Sequence, residues 1–288
     1  MEAAGASDAV FRVRLSEAAP PPVTVEWTHD FLEPQGNLVT LTCERTTTGY
    51  RMHFPGVATL IAAANGELCV HPHAGMCRES VRHVLLDQAL PRLMAQRGEL
   101  VLHAALVRTL AGRNLLLIGD SGRGKSTLTG ACFASGRVVA TDDGAVLRVT
   151  DGTLVAVPNY PSLRLLPDSL SKLFQGRQYA SLPVANYSQK RRLPVNALEG
   201  SAEVHAILIL DPPSEDGTAP HLARKTPAAA CHALMRHGFQ LDLSDVSNHQ
   251  RLLAKGAQAA QLAPVYSLAY PRRYEALPEV LALLEGLA

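Results

Sequence analysis

The sequence has almost no net charge of either sign: 27 Lys and Arg against 26 Asp and Glu leave +1 over 288 residues. Nothing in that balance draws nucleic acid or an anionic membrane surface. No uninterrupted apolar run approaches the roughly 18 residues of a membrane span, so no membrane partner is expected. Aromatics are scarce, at 5%. Trp27, Phe31 and the tyrosines lack an accompanying basic array, so they are expected in core and rim and not in a nucleic-acid platform. Cysteines are few, odd in number and scattered: Cys43, Cys69, Cys77, Cys132 and Cys231. That fits reduced thiols better than a disulfide framework. The opening "MEAAGASDAVFRVRL" has an early Glu and no apolar core. No secretion signal is expected, and the expected location is the cytoplasm.

What is present is an ordinary globular composition, 47% hydrophobic and 18% charged, in a chain long enough for one large domain or two smaller ones. Residues 8–70 read as short alternating strands, with Asn65-Gly66 as one hairpin turn. From about Arg78 the apolar period becomes helical, and Pro91 is expected to kink or split that helix. "ELVLHAALVRTLAGRNLLLIGD" reads as two strands joined at Ala111-Gly112. "STLTGACFAS" reads as a helix stopped by Gly136. "RVVATDD" and "VHAILILD" read as buried strands, residues 227–260 as mostly helical with an interruption near 238–245, "PVYSLAYP" as a late strand and "LPEVLALLEGLA" as a final helix. This divides the chain into a β-rich part, 1–98, and an α/β part, 99–288.

The second part opens on the pattern G-x-x-x-x-G-K-[ST], the Walker A form of a P-loop: Gly119, Asp120, Ser121, Gly122, Arg123, Gly124, Lys125, Ser126, followed by Thr127. The glycines let backbone N–H groups turn inward on phosphate oxygens. The helix that follows presents its positive end to the anion. Lys125 supplies a point charge, and the Ser126 hydroxyl suits Mg2+. "LLLI" before and "STLTGACF" after give the strand and helix the motif requires.

One helix further on, Asp142 and Asp143 end a buried strand. Two adjacent acids there can divide the work, one on Mg2+ and one taking a proton from an attacking hydroxyl. A polar Asp-Asp-Gly turn is the bland alternative.

"GDSGRGKST", the pair Asp142-Asp143 and "LHAALV" with His103, in that order over residues 101–147, resemble the HPr kinase/phosphorylase family. The resemblance implies an α/β fold: a P-loop kinase domain of the HPr-kinase-like type, preceded by a smaller β-rich N-terminal domain. It implies ATP and Mg2+ as cofactors, transfer of the terminal phosphate to a serine hydroxyl of a peptide or protein, and a homo-oligomer. It gives Asp142 the role of base and makes Ser126 and Asp143 the metal ligands. His103 becomes a candidate for orienting the phosphates and acids; a hydrogen-bonded strand histidine is the alternative. The family's downstream Glu-Ile-Arg-Gly run has no full counterpart. Residues 157–169 offer Arg164 but no Glu, which puts the reverse, dephosphorylating reaction in question. The pattern is most similar to the branch encoded with ribosomal peptides, including lasso-peptide precursor kinases. "YPSLRLLPDS", "KRRLPV" and "LAYPRRYEALPEV" are consistent with it.

Phosphoryl transfer also needs cations at the transferred group. Arg164 is one candidate. Lys190 and Arg191 of the triplet Lys190-Arg191-Arg192 are others, against a merely solvated face. Arg272 and Arg273 read as surface charge or a subunit contact. Cys69, His71, His73 and Cys77 are zinc-competent ligand types, but their spacing is not a standard zinc pattern. Two rivals share the loop: a kinase of a small serine-like metabolite, and a non-catalytic nucleotide-binding regulator.

Overall fold

In "NLLLI" the four residues after Asn114 are all apolar, a run that makes sense for a strand buried on both faces. A computed structural model describes residues 11–33, 36–175, 179–195, 198, 200–215 and 218–287, and in it this run is a central strand with each residue buried. Readings that fall on residues 8–10 lie outside the described residues. The described chain forms two compact units. One runs to Arg97 and takes in Gln240–Asp245; the other comprises Gly98–Phe239 and the chain from Val246 onward.

The first unit is a six-stranded sheet ordered β1-β6-β5-β4-β3-β2. The strands are β1 (Arg12–Leu15), β2 (Val25–Leu32), β3 (Val39–Thr46), β4 (Gly49–Phe54), β5 (Ala58–Ala63) and β6 (Glu67–Pro72). β1 joins β6 in parallel, and the rest is an antiparallel meander. At Gly49 φ is +151°, and an added Cβ would stand 2.0 Å from the Ala62 carbonyl oxygen, so only glycine fits. The helical stretch is broken in two. α1 (Arg78–Val84) passes through a π turn at Leu85–Ala89 into α2 (Leu90–Gln96). Pro91 lies in the first turn of α2, where its missing N–H does least harm. Val81, Val84 and Leu93 pack on Met52, Leu60 and Val70. The segment Gln240–Asp245 returns to this unit: Leu241 joins the core, and Asp242 accepts from Arg45 at 2.8 Å and Tyr50 at 3.2 Å.

The second unit is α/β. Its main sheet runs β10-β8-β9-β17-β19-β18. These strands are β8 (Ala104–Arg108), β9 (Asn114–Ile118), β10 (Val138–Thr141), β17 (Ala206–Leu210), β18 (His221–Arg224) and β19 (Val265–Ala269). β9, β17 and β19 pair in parallel, β8 and β18 run against them, and β10 pairs antiparallel with β8. A four-stranded antiparallel sheet holds β16 (Ala202–Glu203), β12 (Thr153–Pro158), β11 (Ala145–Thr150) and β7 (Leu100–Leu102). A small sheet holds β13 (Leu163–Leu165), β15 (Arg191–Leu193) and β14 (Leu182–Pro183).

Alternation along β9 explains the layers. Leu115 and Leu117 face α3 (Lys125–Ala134) and α7 (Leu277–Glu285), packing on Leu128, Cys132 and Val280. Leu116 and Ile118 face the other way, toward Leu147 and Ala156 of the second sheet and Leu234 and Ala259 of α5 (Pro227–Arg236) and α6 (Val246–Leu262). α3 ends at Gly136, whose φ of +89° suits a residue just past a helix. A further helix, α4 (Pro167–Leu173), follows β13.

Among the described residues the chain crosses between the six-stranded and four-stranded sheets of this unit three times: once through Val204 and His205, from β16 into β17, and twice at points that neighbour one another. It leaves β7 and enters β8 through His103, and it leaves β10 and enters β11 through residues 142–144. Leu102 pairs with Ala145 and Leu106 with Thr141, so the ladder breaks between these pairs. The expected single strand through "LVLHAALV" is therefore two. A hairpin not anticipated from the sequence, β11–β12, turns at Asp151-Gly152, both at positive φ.

None of the five cysteines, all among the described residues, is in a disulfide. The Cys69–Cys77 ligand types do not converge. His71 Nδ1 lies 2.7 Å from the Ala18 oxygen, His73 Nε2 3.4 Å from Thr59 Oγ1, and Cys77 Sγ 3.1 Å from Ser80 Oγ. Among the described residues no helix is long and apolar enough to cross a membrane.

Candidate active site

The loop 119–124 leaves the carboxyl end of β9 and enters α3, at the edge where open α/β sheets bind ligands. Gly119 packs so close to β17 that a Cβ would meet Leu210 Cβ at 3.1 Å. Gly122 and Gly124 have φ of +80° and +89°. These positions need glycine for separate reasons, one for space and two for backbone angle. The loop lines a cavity of about 250 Å³ with Lys125, Ser126, Thr127, His103, Arg164 and Lys190 on its walls.

Lys125 is 5% exposed. Its ammonium hydrogen-bonds the main-chain oxygen of Asp142 and lies 3.5 Å from Asp142 Oδ1. Asp142 is fully buried, and the backbone N–H of Arg164 approaches its other oxygen at 3.4 Å. The Arg164 side chain takes the second acid, with Nε 2.8 Å from Asp143 Oδ2. Its guanidinium sits 5.5 Å from the centre of the Tyr160 ring. β13 thus holds both acids, one by its backbone and one by a side chain. The carboxylates do not form the cavity wall themselves; they lie against Lys125 and Arg164, which do.

The two acids are driven apart in proton affinity. Burial pushes Asp142 above the usual carboxylate range, more than Lys125 pulls it down. Burial also raises Asp143, but Arg164 foremost, with Lys125, overcomes it and holds this carboxyl below the usual range. His103 opens onto the solvent of the cavity although protein surrounds it. The Lys125 charge, ahead of desolvation, pushes the imidazole down and keeps it neutral. Its backbone N–H donates to the His237 oxygen at 3.1 Å, and Phe239 meets its ring edge-on at 6.3 Å.

The structure distributes the sequence candidates unevenly. Lys190 lines the cavity. Arg191, next along the strand and so on the opposite face, donates to the Ser181 oxygen at 2.8 Å. Asp120 accepts from Arg236 of α5 at 2.9 Å, with Arg123 and His237 each 3.9 Å away, an anchor for the loop. Arg272, read from the sequence as surface charge or a subunit contact, is exposed and also lines the cavity. Leu165, Leu166 and Ser169 were not anticipated either. The sequence singled out their neighbour Arg164 but not these three; their place follows from β13 pairing with β15 and α4 packing against α3.

No protein-family model matches the sequence, and no curated protein does. Among solved structures the chain is similar to the Hpr(Ser) kinase/phosphatase from Coxiella burnetii. The two share 16% identity across 65% of this chain and 87% of that one, at a TM-score of 0.33. A likeness of that size carries no argument about activity.

Proposed function

We propose that this chain is an ATP- and Mg2+-dependent kinase that transfers the γ-phosphoryl group to a serine hydroxyl of a peptide or protein, with a ribosomally made (lasso) peptide precursor among its acceptors. One observation carries the reading. Two adjacent buried acids with opposite proton affinities are held against the lysine of a glycine-rich loop at the carboxyl edge of a parallel sheet. Paired groups pushed apart in this way are the mark of an acid–base assignment.

In the ligand-free protein Lys125 neutralises Asp142. A phosphate in the loop competes for the ammonium, and drawing Lys125 toward it releases the Asp142 carboxylate to accept a proton. The acceptor oxygen then bonds to the γ-phosphorus while the bond from that phosphorus to the β,γ-bridging oxygen breaks. ADP leaves, and the hydroxyl proton resides on Asp142. Lys125, Lys190 and Arg164 neutralise charge on the transferred group. His103, neutral, is a hydrogen-bonding partner beside them and not another cation.

The donor set fits Mg2+, which takes one or two protein oxygens and completes its shell with phosphates and water. Ser126 and Asp143, kept ionised by Arg164, are the residues that would hold it, and the ion would supply charge neutralisation between the phosphates.

The test offers γ-labelled ATP and Mg2+ with serine-bearing peptides, with free serine, and with neither, to wild type and Asp142→Asn. Label on a peptide serine, lost in the variant, supports the reading. Label on free serine alone makes it a small-molecule kinase. ATP binding with no transfer to any acceptor makes it a nucleotide-binding regulator.

A further inference from the structure

We infer that the face of the small sheet carrying Arg164, Lys190 and Arg192 docks an acidic stretch of the acceptor peptide, beside the serine that is phosphorylated. The inference rests on the kinase reading, whose acceptor it narrows. β13 and β15 pair antiparallel, with Leu163 opposite Leu193, Arg164 opposite Arg192 and Leu165 opposite Arg191. Residues directly opposite one another share a face. Leu163, Leu165 and Leu193 are buried in the core with Leu128 of α3, so Arg164 and Arg192 stand together on the other face. Leu182 of β14 is opposite Arg192 in turn and joins them there. Lys190, two residues before Arg192, is on that side too, and it lines the cavity with Arg164.

Only part of this face belongs to the phosphate cavity. Arg164 and Lys190 are on the cavity wall, and Arg192 is not. Arg164 has Asp143 as its partner at 2.8 Å. Among the described residues no carboxylate lies within ion-pair distance of Lys190 or Arg192. Like charges directly opposite in a ladder are destabilising, so the fold gains nothing from a second arginine across from Arg164. A cation set there, past the phosphates, is available to the other reactant. Leu182, 57% exposed, gives the outer end of the same face an apolar contact. The complementary ligand is an extended segment with acidic residues next to its serine and an apolar residue beyond them.

Fluorescence anisotropy on the full chain, with Mg2+ and a non-hydrolysable ATP analogue, tests this with labelled serine peptides in three versions. One has Glu on both sides of the serine and Leu beyond, and its twins have Gln or Lys in place of each Glu. Wild type should bind the Glu peptide at least about fivefold more tightly than the Gln twin. Arg192→Lys should keep that order, Arg192→Gln remove it, and Arg192→Glu turn the preference to the Lys twin. Equal affinity for the Glu and Gln peptides in wild type overturns the docking face and leaves the kinase reading standing. So does a preference untouched by Arg192→Gln and Arg192→Glu, or a common loss for every peptide in all three variants. γ-Labelled ATP then separates the two readings. A Glu peptide that is preferred in binding yet takes no label at saturation is not an acceptor, which overturns the kinase reading and this inference with it.

Discussion

Replacing Arg164 by Gln should destabilise the second unit by an amount that depends on pH in a particular direction. The guanidinium and the Asp143 carboxylate are 4% and 12% exposed and 2.8 Å apart. Breaking a pair buried to this extent costs about 3–5 kcal/mol, because the surviving charge stays buried without its partner. For a unit of this size that is a fall of about 6–20 °C in Tm, at ~2–4 °C per kcal/mol. The sign follows from Asp143, which Arg164 and its neighbours hold below its usual range against burial. In wild type its contribution is fully present above the unfolded carboxylate pKa of about 3.9 and is lost as pH falls through the lower folded value. In Arg164→Gln burial loses its main opponent, and the Asp143 pKa rises. The gap between the two proteins is therefore widest at neutral pH and narrows toward acid as the variant's Asp143 takes up a proton. Thermal melts from pH 4.5 to 8, followed by far-ultraviolet circular dichroism, measure it. The single tryptophan, Trp27, lies in the first unit, so its fluorescence serves as an internal reference. A gap below about 1 kcal/mol, the size expected of an exposed ion pair, refutes the argument. So does a gap unchanged across that range.

Asp142→Asn should lower phosphoryl transfer by about 10²–10⁴, the usual worth of a positioned base, while calorimetry shows ATP still bound. The acid limb of the wild-type rate profile should lie above the ordinary Asp value of about 3.9, since burial raises Asp142 and the base must be ionised; a limb at or below that value counts against Asp142 as base. Gly124→Ala forces a side chain into φ of +89° and to 3.3 Å from Tyr270 Oη; it should cost about 1–2 kcal/mol in a denaturant melt and weaken ATP binding in calorimetry. Gly49→Ala sets a Cβ 2.0 Å from the Ala62 oxygen, and Trp27 fluorescence should report a loss of about 3 kcal/mol or more.

Local chemistry makes the strand–loop–helix around residues 114–134 legible in the sequence, because three adjacent signals agree there: a doubly buried strand, a glycine pattern and a helix stopped by Gly136. The change to helical period at Arg78 is legible for the same reason. The break at His103 is not. "LVL" and "AALV" are buried on both faces, so alternation gives no hint that they belong to different sheets. The β11–β12 hairpin does carry a signal, Asp151-Gly152 between alternating apolar residues, and that dipeptide is sufficient to find it. Arg191 shows the limit of reading a charge cluster. Three consecutive cations on an extended segment point to alternate sides, and composition cannot say which side holds the cavity. Asp168, Ser169 and Tyr274 come together across 105 residues of chain, a proximity no local pattern encodes.

The neighbouring crossings between the sheets put part of the site on a seam. His103 and the acid pair occupy two of the three crossings described between these sheets, the third being Val204-His205, whereas the glycine loop hangs from β9, wholly within the six-stranded sheet. A change in the angle between the sheets carries His103 and residues 142–144 together, because both lie on the seam where the ladder breaks. Their mutual spacing is preserved, and their aim relative to the loop is what shifts. Substitutions along the interface of the two sheets, at Leu147, Leu154 or Ala156, thus act as trim adjustments on the alignment of Asp142 with the glycine loop without touching either.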